Sequence, residues 1–312
     1  MQCLTIFKSA IDENKSTNHE NNFIYAVLWS IGALCEQDDR QKLVNFLAKE
    51  KNLNCQENAY DFYPGDNGEW KQWEIPEYTI PELTTSVGPM GTPFSEILVP
   101  TVDTVTLKVL MKNVKKNILL IGEPGSGKTS LMNSFLINRV QEAAVAAVKN
   151  PQITQEVFQS ITMSDTTTPS NLQNTILSFM DKTIGTSYAP KNGSNLTVFI
   201  DDINMPEINT WGDQETNELL RQLIEQKGFY NRGAKAGDFL SLDKFSIMGS
   251  MAQPLYGRND IPMRLKRQFI IFNCSMPKER EINTIFGTIA NNHFIMKNDF
   301  NREIQEIMPE IL

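Results

Sequence analysis

From about residue 96 onward, short apolar runs alternate along the chain with amphipathic stretches. The runs are Asn117–Ile121, Gln159–Met163, Leu196–Ile200, Phe245–Gly249 and Phe269–Phe272, all of strand length. Residues 103–115, 128–148, 170–182, 214–227 and 278–290 place apolar side chains at three- and four-residue spacing, which predicts helices. Strands buried on both faces and separated by helices predict a five-stranded parallel sheet in one doubly wound α/β domain. Its functional loops belong at the C-terminal ends of the strands.

The region before it has a different texture. Over residues 1–60, Phe23, Ala26, Val27, Ser30 and Ile31 recur at helical spacing, as do Leu43, Phe46 and Leu47. Asp38 and Asp39 suit a helix start. These features predict a small helical subdomain. Residues 61–95 hold most of the turn signals, including Pro64-Gly65, Asp66-Asn67-Gly68, Pro76, Pro81, Gly88-Pro89 and Gly91-Thr92-Pro93. They read as a connector, in which Trp70, Trp73 and Ile75 mark a short strand. Residues 96–312 then form the large α/β subdomain.

Composition narrows the function. A hydrophobic fraction of 40% with 21% charged residues fits a globular chain. The net charge of −8 argues against a broad nucleic-acid footprint, so a phosphate ligand needs a local device. No apolar run approaches the roughly 18 residues of a membrane span, and Met1 to Ala10 does not read as a signal peptide. Cys3, Cys35, Cys55 and Cys274 form no CxxC pair, which points away from a zinc site or a disulfide framework and towards a reducing cytoplasm.

That local device is Gly122-Glu123-Pro124-Gly125-Ser126-Gly127-Lys128-Thr129, a match to G-x-x-x-x-G-K-[ST] at every fixed position. The strand Ile118 to Ile121 precedes it, and the helical run Leu131, Met132, Phe135 and Leu136 follows. The glycines let backbone N–H groups turn inward around phosphate oxygens, and the helix start at Ser130 adds its positive end. Lys128 is placed for the β- and γ-phosphates of ATP, and Thr129 for Mg²⁺. The run Leu196-Thr197-Val198-Phe199-Ile200-Asp201-Asp202 is an apolar strand ending in two acids. In the Walker B arrangement Asp201 helps hold Mg²⁺ and Asp202 orients the attacking water.

Several stretches go beyond a generic ATPase. They are Phe199-Ile200-Asp201-Asp202-Ile203-Asn204-Met205-Pro206, Trp211-Gly212-Asp213-Gln214, Gly257-Arg258-Asn259-Asp260-Ile261-Pro262 and Arg264-Leu265-Lys266-Arg267-Gln268-Phe269. This series resembles the third AAA+ module of axonemal-type dynein heavy chains. The start, with Phe23-Ile24-Tyr25-Ala26 and Trp29-Ser30-Ile31-Gly32, is similar to the lid of the module before it. The resemblance implies an AAA+ P-loop NTPase in a ring of such modules, where hydrolysis moves a linker and gates a distant microtubule-binding stalk. It implies neighbouring modules of the same heavy chain, and dynein intermediate and light chains, as partners. It implies the axoneme of a cilium or flagellum as the location. Microtubule contact would run only through a stalk, and no long heptad pattern for one occurs in these residues.

By the same resemblance, Val99 and Pro100 lie near the adenine of bound ATP or ADP. Arg264 serves in trans at the preceding module's nucleotide; Arg264 with Lys266 and Arg267 also fits a solvated basic turn. Two departures from the AAA+ pattern bear on hydrolysis. Asp202 stands where Glu is usual and is one methylene shorter. Ala252 falls where a polar sensor is usual, with Ser250 or Gln253 as substitutes. Both keep binding and put fast turnover in doubt, so the chain alone is expected to be a weak ATPase. A remodelling ATPase of midasin-like type, and a ring module that holds nucleotide without hydrolysing it, are the alternatives.

Overall fold

The computed structural model describes residues 2–14, 18–51, 59–65, 69–78, 97–114, 117–150, 154–233, 237–255 and 257–291. The connector signals at 66–68, 81, 88–89 and 91–93 lie outside these residues. In chain order the elements are α1 (Gln2–Asn14), α2 (His19–Ser30), α3 (Gln37–Lys51), β1 (Phe62–Pro64), β2 (Trp70–Gln72), α4 (Val102–Asn113) and β3 (Ile118–Ile121). There follow α5 (Lys128–Lys149), β4 (Glu156–Thr162), α6 (Pro169–Ser178), β5 (Met180–Lys182), β6 (Ser187–Pro190) and β7 (Asn195–Asp201). The last are α7 (Glu215–Gln226), β8 (Gly228–Tyr230), β9 (Phe239–Leu242), β10 (Phe245–Met251), α8 (Met263–Lys266), β11 (Ile270–Asn273) and α9 (Glu279–Asn291). The chain divides into two compact units, one of residues 1–114 with 275–312 and one of residues 115–274.

The first unit is helical. Asn18 caps α2 by accepting from the Asn21 N–H at 3.2 Å. Helix α2 buries Ile24, Tyr25, Leu28 and Trp29, whereas Phe23 is 53% and Ile31 56% exposed. The helix is where the spacing predicts it; of the predicted stripe Ala26 and Ser30 are buried and Val27 half-buried, and only its ends, Phe23 and Ile31, are exposed. Burial extends round the helix from Ala26 and Ser30 to the neighbouring face that carries Ile24, Leu28 and Trp29. Phe23 instead meets Phe7 of α1 edge to face at 6.1 Å. Trp29 meets Tyr60 in the same way at 5.2 Å, and the Arg40 guanidinium lies 5.3 Å from the Tyr60 ring centroid. Burial pushes the Tyr60 hydroxyl up to about 12. Strands β1 and β2 pair antiparallel, with Phe62 opposite Gln72, so the predicted strand starts at Trp70 and stops before Trp73. Thr101 and Thr104 form a capping box at the start of α4.

The second unit is built on a sheet in the order β11-β3-β10-β7-β4, with every pair parallel. Side chains alternate across it. Leu119, Val198, Ile200 and Ile247 join one core with Leu172 and Ile176 of α6 and Leu219, Leu220 and Leu223 of α7. Ile118, Leu120, Phe199 and Phe272 alternate with them and are fully buried. Helix α5 buries Leu131, Met132, Phe135 and Leu136 and packs on β4.

Two features depart from the predicted pattern. The helix expected over 170–182 ends at Ser178, and Met180–Lys182 is a strand. Leu172, Ile176 and Met180 all point into the same core at four-residue spacing, so periodicity continues across a real break. The second is an additional sheet: residues 228–237, a hairpin or loop by their sequence, open with β8, which pairs antiparallel with β9 in a hairpin. Strands β5, β6, β9 and β8 form a second sheet of four short strands. Phe229, Leu240 and Leu242 tie it to the main core.

Candidate functional site

The fully apolar strand β3 delivers the chain into the loop 122–127. Gly122 packs against the end of β11; a Cβ there would lie 2.3 Å from the Cys274 carbonyl oxygen. Gly127, the N-cap of α5, has φ +77°, a left-handed conformation that a side chain disfavours. The first N–H groups of α5 have no partner within the helix and face the loop, with the helix dipole behind them. Glu123, Pro124, Gly125, Gly127 and Thr129 are exposed, and Ser126 and Ser130 are half-buried. The loop is therefore a cradle that opens to solvent.

Lys128 is 8% exposed. Its Nζ donates to the Gly122 carbonyl at 3.0 Å, the Glu123 carbonyl at 2.7 Å and the Ser126 hydroxyl at 3.2 Å. Burial lowers its pKa below the usual lysine value, against the pull of Cys274, Asp201 and Asp202, and the Arg258 charge lowers it further. A phosphate chain in the cradle would supply the anions that this half-stripped ammonium lacks.

Strands β3, β10 and β7 lie side by side, so their C-terminal ends meet. Thr129, in the first turn of α5 beyond β3 and its loop, donates its hydroxyl to Asp201 Oδ2 at 2.7 Å. Ser250 on β10 lies between them, fully buried, and donates to Asp201 Oδ1. A hydroxyl and a carboxylate held together beside the loop form an all-oxygen set, which suits Mg²⁺ better than a softer metal.

Asp202 leaves the strand with φ +55°, unusual for a residue with a side chain. Its carbonyl accepts from the Met205 N–H at 3.0 Å, and the Ile203 N–H donates to the Ser250 carbonyl at 3.1 Å. This tight turn aims the Asp202 carboxylate at Arg258, with which it forms an ion pair. Ala252 is buried, and only its carbonyl makes a polar contact here, accepting from Asn204 Nδ2 at 2.9 Å. Of the residues considered for the sensor role, Ser250 is the one that touches the site. Arg258 is the residue sequence reasoning missed. It stands 56 positions from Asp202, and no local pattern marks the pairing.

Val99 is buried and Pro100 half-buried in the first unit, immediately before Thr101 and α4. Arg264 is exposed on α8. Its two basic neighbours are engaged: Lys266 pairs with Asp260 at 2.6 Å and Arg267 with Glu225 at 3.1 Å. Among the described residues Arg264 forms no ion pair of its own, although its charge, after those of Arg267 and Arg221, helps hold the Glu225 carboxyl below its usual range. On α7, Arg221 pairs with Glu218 at 2.7 Å and with Glu225, so the acids after the Walker B strand are engaged as a charged helix face.

Known proteins match both units. A family model described as the dynein heavy chain AAA lid domain matches residues 1–75, and one described as the P-loop containing dynein motor region matches residues 87–277. The chain is 38% identical over 303 residues to dynein axonemal heavy chain 5 of Mus musculus, covering 93% of this chain and 6% of that protein. It is 38% identical over 308 residues to dynein axonemal heavy chain 8 of Homo sapiens, with the same coverage of 93% and 6%. It is 33% identical over 305 residues to the dynein gamma chain of the flagellar outer arm of Chlamydomonas reinhardtii, again at 93% and 6%. The chain thus spans about 6% of the length of these relatives.

Proposed function

The chain belongs to the dynein heavy chain family, and from that premise we propose that it binds ATP or ADP with Mg²⁺ and regulates the cycle of a larger motor. The observation that carries the proposal is the convergence of Lys128, Thr129, Asp201 and Asp202 at adjoining strand ends, with Thr129 and Asp201 2.7 Å apart. The loop and the start of α5 cradle the phosphates, and Lys128 turns from the loop carbonyls towards them. Thr129 and Asp201 hold Mg²⁺, and Ser250 fixes the orientation of Asp201. Bound Mg²⁺ offsets the phosphate charge that builds during phosphoryl transfer. Asp202 orients the attacking water. Val99 and Pro100 are assigned to the adenine.

Arg264 is assigned to the nucleotide of the preceding module in trans. Its exposure supports this, since its basic neighbours are committed to Asp260 and Glu225. The partners are neighbouring modules of the same heavy chain, with intermediate and light chains around the whole. The microtubule would be reached through a stalk elsewhere in the protein, in an axoneme. Both matching family models are dynein models, so the midasin-like reading is set aside.

The test is Lys128→Ala within the heavy chain. Motor cycling, read as gliding speed and steady-state ATPase, should slow, while microtubule co-sedimentation without nucleotide is kept. Unchanged cycling with this site emptied of nucleotide would contradict a regulatory role.

A further inference from the structure

Arg258 reaches Asp202 from a loop that is fastened to the Walker B turn on both sides. Asn204 Nδ2 donates to the Ala252 carbonyl at 2.9 Å, the Asn259 N–H to the Asn204 carbonyl at 3.1 Å, and Asn259 Nδ2 to the Pro206 carbonyl at 2.9 Å. Beyond Arg258, Gln214 Nε2 donates to the Asp260 carbonyl at 2.7 Å, and Ile261 is buried in the core. The guanidinium is thus delivered to one place by a braced loop. Asp202 is delivered to the same place by its own tight turn, with φ +55°.

The pair does not look like a stability device. Its side chains are 26% and 31% exposed, and an ion pair so accessible to water contributes little to folding. It has a chemical consequence instead. While the guanidinium engages the Asp202 carboxylate, that oxygen is unavailable to a water. The Arg258 charge is also felt at Lys128, whose Nζ lies in the phosphate loop. A terminal phosphate carries more charge than one carboxylate and accepts a guanidinium through two oxygens at once, so it competes well for Arg258.

We propose that Arg258 is a cis-acting gate on Asp202, whose guanidinium exchanges from the Asp202 carboxylate to the terminal phosphate of a nucleoside triphosphate. Asp202 is then released to orient water only when a triphosphate, and not a diphosphate, occupies the cradle. In this scheme Arg258 contacts the terminal phosphate itself, and it makes the site prefer triphosphate. The inference rests on the nucleotide-binding reading given above.

The experiment is calorimetry on the full chain with two probes in Mg²⁺ buffer, ADP and a β,γ-imido analogue of ATP that resists hydrolysis. The quantity read is the ratio of the two affinities. Arg258→Ala should lower the preference for the triphosphate by about tenfold, the scale of one charge-assisted hydrogen bond net of the exchanged pair, and leave ADP affinity unchanged. Arg258→Lys, which keeps the charge without the planar fork, should restore part of it. Asp202→Asn frees Arg258 and should raise the preference a few-fold. In the Arg258→Ala background the same substitution should have no effect on the ratio, a non-additivity that a merely structural role would not produce.

Equal losses for both probes in Arg258→Ala, or a lysine variant no better than alanine, would overturn the gate. So would an Asp202→Asn effect that is the same in both backgrounds. Should Arg258→Ala fail to fold by circular dichroism, Asp202→Asn alone decides, and an unraised ratio overturns the proposal. Failure of the unsubstituted chain to bind either probe would remove the nucleotide-binding reading, and the gate with it. Binding with an unchanged ratio removes the gate alone.

Discussion

Ser250 is fully buried, and its hydroxyl donates to Asp201 Oδ1, the carboxylate that also accepts from Thr129. Removing that hydroxyl leaves Asp201 with one protein donor fewer and a looser orientation. A hydrogen bond to a charged group contributes about 1.5–3 kcal/mol. Ser250→Ala should therefore weaken the Mg²⁺ dependence of nucleotide binding by roughly tenfold or more, with the fold intact. A Mg²⁺ titration at fixed ADP checks this, and an unchanged midpoint would leave Ser250 without a role in the site. At this scale the sequence was partly legible. The phosphate loop and the paired acids stand in contiguous motifs, because a strand–turn–helix needs its residues in a row. Ser250 was visible only as a possible substitute near Ala252. Arg258 was not visible as a site residue, because its partner is supplied by another strand through the fold and not by spacing along the chain.

Among the elements, three carboxylates of the first unit come together from distant segments: Asp61, Asp103 at the start of α4, and Glu281 on α9. Burial pushes the Asp61 carboxyl above 3.8; Lys278 and Arg280 oppose this, and Asp103 adds to it. Burial likewise raises Glu281 above 4.5, against a hydrogen bond from the Lys278 N–H, with Asp103 and Asp61 adding to the rise. A carboxyl whose folded pKa is raised binds more protons folded than unfolded in the window between the two values. Stability contributed by such a group is present below that window and lost as pH rises through it. Asp61→Asn removes the Asp61 part. The variant should melt higher than the parent at neutral pH, by roughly a few degrees, and the difference should shrink towards pH 4. Melting curves across that range check the sign, and a difference that grows in acid would contradict it.

The elements also show where periodicity stops being informative. The five strands of the parallel sheet and the helices between them were legible because each buries a regular stripe or an unbroken apolar run. Strands β5, β6, β8 and β9 are as short as β3 and β11 but lack their apolar run, as Met180-Asp181-Lys182 and Ser187-Tyr188-Ala189-Pro190 show. The end of α6 was hidden because Met180, already in β5, occupies the next helical position of the same core. On α2 the helix and the middle of its buried face, Ala26 and Ser30, were legible, but its edges were not, since Phe23 and Ile24 are equally apolar and only contact with neighbours chooses between them.

At the scale of the whole molecule, the strand order β11-β3-β10-β7-β4 puts the phosphate loop and the Walker B acids at one end of the second unit. The alternation of strands and helices announced that parallel sheet. The order of its strands did not follow from spacing, because crossover helices of similar length permit several orders. In a ring, such a module would complete a neighbour's site as well as own one. An arginine supplied in trans to a phosphoryl-transfer site contributes roughly 10³- to 10⁵-fold in rate. Arg264→Ala, made in a heavy chain containing the preceding module, should slow that module's turnover by about that scale and spare binding at the Lys128 site. A defect confined to the Lys128 site would refute the assignment.

The central claim is that the Lys128 cradle is a nucleotide site, and isothermal calorimetry of Mg²⁺ with ATP on the chain and on Lys128→Ala tests it most directly. Lys128 is 8% exposed and, among the described residues, donates only to oxygens of its own loop, so its removal should abolish binding and leave the circular dichroism spectrum unchanged. Equal heats of binding in the parent chain and in the folded alanine variant would contradict the account.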